Sequence, residues 1–190
     1  MRVCVALVLT LLLLPACGSE ENERPAAPAP ASLPGSALPE LDSRARSLSA
    51  EALAADSYEP KALADLLDDA RFVSGSEREF SGKTRTFDHV IARTLVFEDA
   101  AGAETYLSWL RTHGEDFLGR VQPAKVSPPG ESGVAFMLAA CGTCKKETPT
   151  FLAGWRRGAT VLTLLAAGSG ANPERFSALA EQLDELAATA

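Results

Sequence analysis

Histidine is nearly absent from this 190-residue chain, which contains only His89 and His113. His89 falls in a predicted strand and His113 at the end of a predicted helix, and neither has ligand spacing to a cysteine. Both are therefore expected to be ordinary structural or surface residues. The sequence predicts no metal site and no cofactor.

Positive charge is also scarce. The chain has 18 Lys and Arg residues against 25 Asp and Glu residues, which gives a formal net charge of −7. An acidic chain gains no electrostatic help toward the phosphates of nucleic acid. It also lacks the basic excess that holds proteins on anionic lipid. We therefore expect no nucleic-acid partner.

Long apolar runs are missing except at the N-terminus, where residues 3–14 are uncharged and almost wholly apolar. This run follows Arg2 and precedes small residues, a pattern typical of an export signal. The run is too short to span a bilayer comfortably. Residues 1–16 are therefore predicted to be a signal peptide.

The stretch Leu14-Pro15-Ala16-Cys17 resembles the lipobox of bacterial lipoproteins. The resemblance implies cleavage before Cys17, acylation of Cys17 with chains such as palmitate, and a membrane partner reached through that lipid. The protein would then lie in the cell envelope, on the outer side of the cytoplasmic membrane, or in the outer membrane or periplasm of a Gram-negative cell. Pro15 departs from the small or short aliphatic residue usual there, and cleavage after Gly18 with release of a soluble protein is the alternative.

Cysteine is limited to four residues, of which Cys4 leaves with the signal and Cys17 is lipidated or removed. The remaining pair is Cys141 and Cys144, and outside the cytosol such a pair is expected to be oxidised. We interpret it as a structural disulfide at a bend between two antiparallel strands, the second of which is predicted over residues 150–157.

The stretch from Phe136 to Pro149 also resembles thioredoxin-like oxidoreductases of the cell envelope, through Cys-Gly-x-Cys followed by basic residues, a Glu and a Pro. That resemblance implies Cys141 as nucleophile and Cys144 as resolving thiol. The aromatic residue usual before the first cysteine is missing, and too few residues follow for the rest of that fold. We therefore assign no catalytic residue.

Residues 17–40 are rich in Pro, Ala, Ser and Glu and are predicted to be a tether, with a single domain over 41–190. Within it, apolar spacing predicts a helix from Pro60, a helix capped by Asp99 and a final helix capped by Asn172. Strands are predicted over 72–80, 87–98, 121–126, 133–141, 150–157 and 160–168. This order favours an α+β domain with a largely antiparallel sheet of about five or six strands and helices packed on it.

The order of elements over residues 58–188, with "VFEDAAGAETYL" and "WRRGATVLTL", resembles small lipoproteins of high-GC bacteria. The resemblance implies a PsbP/Mog1-like α+β fold and a non-enzymatic binding or envelope-assembly module. A protein, an envelope polymer or a small apolar ligand would contact the sheet face or a cleft under the Trp109 helix. Trp109 and Trp155 are candidate contacts, although core packing also explains them, and a thiol–disulfide oxidoreductase is the alternative function.

Overall fold

The computed structural model describes residues 32–115, 119–138 and 148–189. After a short 3-10 helix at Gly35–Ala37, the described elements follow in chain order: β1 (Asp42–Leu48), α1 (Ala50–Ala55), α2 (Pro60–Asp69), β2 (Phe72–Ser81), β3 (His89–Phe97), α3 (Ala100–Thr112), β4 (Val121–Pro123), β5 (Ser132–Leu138), β6 (Thr150–Arg157), β7 (Thr160–Ala167) and α4 (Pro173–Ala188).

The strands in these ranges form one antiparallel sheet of seven strands in the order β1-β2-β3-β7-β6-β5-β4. The first three strands follow one another, α3 crosses the sheet, and the last four strands return from the far edge to the centre. The predicted α+β class is confirmed, and β3 lies inside the sheet between β2 and β7. The predicted number of five or six strands is wrong, because β1 was not recognised.

The physical reason for the missed strand is its exposure. Strand β1 forms the edge of the sheet and pairs with β2 from Asp42 opposite Ser81 to Leu48 opposite Gly75. Its residues are exposed except for Leu48. A strand of this kind has no alternating apolar residues, and its charged side chains are typical of edges that avoid pairing with another chain.

Helices cover both faces of the sheet. On one face, here called the α4 face, buried side chains of β3, β6 and β7 pack against α4; Trp155, Leu162, Leu164, Phe176 and Leu183 belong to this core. On the other face, here called the α3 face, helices α1, α2 and α3 pack over Leu48, Leu95, Phe97 and Val161. Strands buried on both faces read as continuous apolar runs, which explains why β3, β6 and β7 were predicted well.

The predicted helix starts are confirmed. Pro60 lies in the first turn of α2, where its missing N–H is not needed. The Asp99 carboxylate accepts a bond of 2.9 Å from the Gly102 backbone N–H at the start of α3, and the Asn172 side chain accepts one of 2.9 Å from Arg175 N–H at the start of α4. These bonds satisfy backbone donors that the helix itself leaves unpaired.

The domain begins before the boundary predicted at residue 41. Leu33 and Leu41 are buried in the α4-face core, and Leu38 packs against that core. Isolated leucines in a Pro- and Ala-rich stretch carry no periodicity, so the sequence did not distinguish this packed end from the tether. The signal, Cys17 and the rest of the predicted tether lie outside the described residues.

The segment after the cysteine pair is a strand. Thr150–Arg157 forms β6, which pairs antiparallel with β5 from Ser132 opposite Arg156 to Met137 opposite Phe151. The thioredoxin-like alternative expects a helix there, so the predicted strand is confirmed. Gly158, with a φ of 58°, lies in the tight turn into β7. Cys141, Cys144 and their predicted disulfide lie outside the described residues.

Candidate functional site

A cleft of about 190 Å³ lies on the α3 face between α3 and the central strands. Its walls are apolar on one side and polar on the other. The apolar lining residues are Ile91, Leu110, Leu152 and Leu165. The polar lining residues are Asp56, Arg93, Tyr106 and Thr163.

The register of the sheet explains this separation into apolar and polar sides. Arg93 lies opposite Thr163, and two residues away Ile91 lies opposite Leu165, which itself lies opposite Leu152 on β6. Side chains two residues apart on a strand point to the same face. One row across the strands is therefore polar and the adjacent row is apolar.

Four charged side chains form a cluster at the polar side of the cleft, here called the charged cluster: Arg46, Asp56, Glu77 and Arg93. Arg46 donates to Glu77 Oε1 at 2.7 Å and Arg93 donates to Glu77 Oε2 at 2.6 Å. The same two guanidinium groups donate to Asp56 Oδ2 at 2.6 Å and 3.1 Å. Each carboxylate thus binds both arginines, and the formal charges cancel.

Sheet pairing brings three members of the cluster together. Arg46 on β1 lies opposite Glu77 on β2, and Glu77 lies opposite Arg93 on β3. Opposite charges directly across strands stabilise a sheet. Asp56 comes from the C-terminal end of α1 and completes the cluster from above the sheet.

The four side chains of the cluster differ in exposure, and this difference affects their pKa values. The Glu77 and Arg93 side chains are 6% and 13% exposed, whereas those of Asp56 and Arg46 are 35% and 48% exposed. Burial raises the pKa of the Glu77 carboxyl, but the bond from Arg46 and the charge and bond of Arg93 together outweigh burial and lower that pKa below its ordinary value. The bond to Glu77 in turn raises the pKa of Arg46.

Tyr106 lines the same cleft from α3. Burial raises the pKa of its phenol to about 12, although the positive charge of Arg93 opposes this shift. The phenol therefore stays neutral at ordinary pH and can serve as a hydrogen-bonding group. Its ring also packs against Phe97, with a centroid separation of 5.7 Å.

The two tryptophans singled out in the sequence do not line this cleft. Trp155 is fully buried on the α4 face, where its Nε1 donates to Asp184 Oδ1 at 3.1 Å. Trp109 stacks on His113 with ring centroids 4.9 Å apart. The cleft predicted under the Trp109 helix exists, but Tyr106 and Leu110 of that helix line it.

The histidines occupy the elements predicted for them. His89 Nε2 lies 2.9 Å from Glu79 Oε1 at the start of β3, and His113 lies at the C-terminal end of α3. Within the part of the chain that the structure describes, no group of three His, Cys, Asp or Glu residues could hold a metal ion.

Sequence reasoning missed the charged cluster. The signal was present as Arg46, Glu77 and Arg93 in segments that pair with one another. It could be used only after β1 was recognised as a strand and its register with β2 was known. Side chains 16 and 31 residues from Glu77 meet it through sheet topology rather than local spacing.

Comparisons with known proteins do not assign this chain to a family. No protein-family model matches the chain, and no curated protein matches it. Among solved structures, the extracellular domain of PknH from Mycobacterium tuberculosis is similar, with a TM-score of 0.43 and 9% identity over 76% of this chain and 82% of that chain. Likeness at this level supports no argument about function.

The helices in the three described ranges are short or carry polar and charged side chains along their length. None of them has both the length and the apolar character that a membrane span requires.

Proposed function

We propose that this protein is a non-enzymatic binding module that works outside the cytoplasm and is tethered by a lipid on Cys17. The cleft on the α3 face is the observation that supports binding. It combines apolar walls with a few convergent polar groups, which is the usual composition of a small-molecule site. Its volume is small, so it takes a small ligand or one end of a larger one.

The chemistry of the cleft favours binding over proton transfer. A general acid or base works best with a pKa near the operating pH. Here the pKa of the Glu77 carboxyl is lowered and that of the Tyr106 phenol is raised, so both pKa values lie farther from neutral pH. Both carboxylates of the charged cluster are also held by arginines.

The sequence supports the extracytoplasmic tether. The N-terminal apolar run and the lipobox-like Leu14-Pro15-Ala16-Cys17 indicate export and acylation. The Pro- and Ala-rich residues up to 31 then provide a spacer between the lipid and the domain. The pair Cys141 and Cys144 fits an oxidising compartment.

Cys17→Ser tests the tether. The full chain and this variant are expressed in a bacterial host and separated into membrane and soluble fractions. We expect the wild-type protein in the membrane fraction, with an acylated N-terminal peptide by mass spectrometry, and no acylation in the variant. A wild-type N-terminus beginning after Gly18, or equal acylation of the variant, contradicts the tether.

Benzene titration followed by methyl NMR tests the cleft. The methyl resonances of Ile91, Leu110 and Leu152 should shift in the wild-type protein and stay fixed in Leu165→Trp, which fills the cleft. Val73→Trp is the matched control, because Val73 is exposed on β2 and is not among the cleft residues. Unmoved cleft methyls in the wild-type protein contradict a binding cleft.

Insulin reduction tests the non-enzymatic proposal. The exported protein should not catalyse reduction of insulin by dithiothreitol, and a Cys141→Ser/Cys144→Ser variant should bind benzene as the wild-type protein does. Catalysis that the double variant abolishes would establish the thiol–disulfide oxidoreductase instead.

A further inference from the structure

We propose that the cleft binds a small amphipathic carboxylate, whose head group replaces Asp56 on Arg93 while its apolar part lies against Ile91, Leu152 and Leu165. This inference rests on the proposed binding function of the cleft. It adds the chemical class of the ligand, the residue that anchors it, and the internal group that it displaces.

The two carboxylates of the charged cluster are held very differently. Glu77 lies in the middle of β2, between β1 and β3, is almost fully buried, and accepts bonds of 2.7 Å and 2.6 Å. Asp56 lies at the end of α1 and is more exposed. It accepts a bond of 2.6 Å from Arg46, which is itself about half exposed, and meets Arg93 at the longer distance of 3.1 Å. Asp56 can turn toward solvent without leaving a buried charge unpaired, whereas Glu77 cannot.

Arg93 is suited to hold an incoming carboxylate. Its guanidinium has a rigid fork of donors that matches a carboxylate with two parallel bonds. The side chain lines the cleft and is only 13% exposed, so water screens its charge weakly. Thr163 lies directly opposite Arg93 and provides a hydroxyl on the same row.

Charge balance permits an anion that displaces Asp56. The cluster contains two arginines and two carboxylates, so it is neutral. When a ligand carboxylate enters and Asp56 moves into water, the buried part remains neutral. A neutral ligand would have to leave Asp56 in place, and a cationic ligand would add a positive charge beside Arg46 and Arg93.

The apolar row limits the size of the ligand. Ile91 and Leu165 lie two residues along their strands from Arg93 and Thr163, a separation of about 7 Å. The cleft volume of about 190 Å³ is close to that of a cavity of about 150 Å³ that binds benzene. A single aromatic ring or a short alkyl chain, joined to a carboxylate, fits these two requirements.

The test uses 3-phenylpropionate and its neutral amide, 3-phenylpropionamide, titrated into the exported protein by calorimetry. A charge-assisted bond to Arg93 should make the acid bind about tenfold or more tightly than the amide. Asp56→Asn should tighten binding of the acid severalfold more than binding of the amide, so that the preference for the acid increases. Arg93→Gln should reduce the acid to the affinity of the amide.

Matched controls separate this effect from altered folding. Arg157→Gln and Asp184→Asn change another arginine–carboxylate pair, on the α4 face, and should leave both affinities unchanged. Arg93→Lys keeps the charge but loses the fork and should give an intermediate affinity. Asp56→Asn alters a partly exposed side chain, so it remains informative if Arg93→Gln fails to fold.

The outcomes distinguish the two proposals. Equal affinities for acid and amide, with no effect of Asp56→Asn, would overturn the anion site and leave an apolar binding cleft. Binding of neither probe, together with benzene-induced shifts of the cleft methyls, would also overturn the anion site alone. Absence of those methyl shifts as well would overturn the proposed function itself.

Discussion

The two faces of one sheet are covered in different ways. The α4 face is covered by one long helix and by the N-terminal segment around Leu33, which together pack over a continuous apolar core. The α3 face is covered by three helices whose core is divided into two clusters. The cleft lies where α3 meets the central strands of this second face. The α3 face therefore combines packed apolar clusters with open space between α3 and the strands.

The two faces also differ in what their buried charged side chains contact. On the α4 face, Asp184 accepts bonds from Trp155 Nε1 and from Arg157, and so holds α4 on β6. On the α3 face, Asp56 and Arg93 of the charged cluster line the cleft. The first arrangement joins two packed elements, whereas the second places neutralised charges beside open volume. This difference can be tested by disturbing matched positions on the two faces.

The largest loss of stability is expected from Phe176→Ala on the α4 face, and Leu110→Ala is its counterpart on the α3 face. Phe176 is fully buried on the α4 face and its ring lies 5.4 Å from that of Phe151, so truncation should destabilise the protein by about 4 kcal/mol. Leu110 borders the cleft, and its truncation enlarges an existing space, so the loss should be about 2 kcal/mol. Urea unfolding followed by tryptophan fluorescence measures both. Equal losses would show that the α3 face is as tightly packed as the α4 face.

The next largest effect is expected from Glu77→Gln compared with Asp184→Asn. Removing the Glu77 charge leaves Arg93 buried with less compensation, which should cost about 3 kcal/mol. Removing the Asp184 charge should cost about 1 kcal/mol, because Arg157 is 42% exposed and can turn into water. Urea unfolding at neutral pH measures both changes. A larger loss for Asp184→Asn would reverse the assignment of the more deeply buried charge.

A smaller loss of stability is expected when the pH is lowered. The folded-state pKa of Glu77 lies below its ordinary value of 4.5, so the unfolded chain binds the proton more readily. The stability contributed by this ionised carboxylate is fully present above that value and is lost as the pH falls toward and through the lowered pKa. The pKa of Asp184 is lowered as well, chiefly by the bond from Arg157.

Unfolding free energies measured from pH 7 to pH 3 test this linkage. The wild-type protein should lose stability at the acidic end, and Glu77→Gln should lose less over the same interval. Asp184→Asn serves as the matched control for the α4 face. It should also make the unfolding free energy depend less steeply on pH, but by a different amount than Glu77→Gln does. An unchanged slope in Glu77→Gln would mean that Glu77 is not held by its arginines in solution.

Burial also separates the elements that the sequence predicted from those that it missed. Elements with a strong apolar period, such as α2, α4 and the strands around Arg157-Gly158, were predicted because burial determines their side chains. Strand β1 was missed because an exposed edge needs no apolar residue. The charged cluster was missed for the same reason, since Arg46 reaches Glu77 only through the β1–β2 register. Lipidation of Cys17 and the Cys141–Cys144 disulfide remain predictions.

The smallest change in stability is expected from Gly154→Ala, compared with Gly158→Ala. A Cβ at Gly154 would lie 2.4 Å from Leu110 Cδ2, the movable end of a side chain, so Leu110 should shift into the cleft. Alanine also reduces the conformational entropy of the unfolded chain, which partly offsets this crowding, and the net change should be within about 1 kcal/mol. Gly158 has a φ of 58° in the turn between β6 and β7, and alanine there should cost about 1 kcal/mol through backbone strain.

Benzene affinity, measured beside urea unfolding, should fall only in Gly154→Ala, because only that variant narrows the cleft. Weaker binding in Gly158→Ala would mean that affinity follows global stability rather than the space under α3.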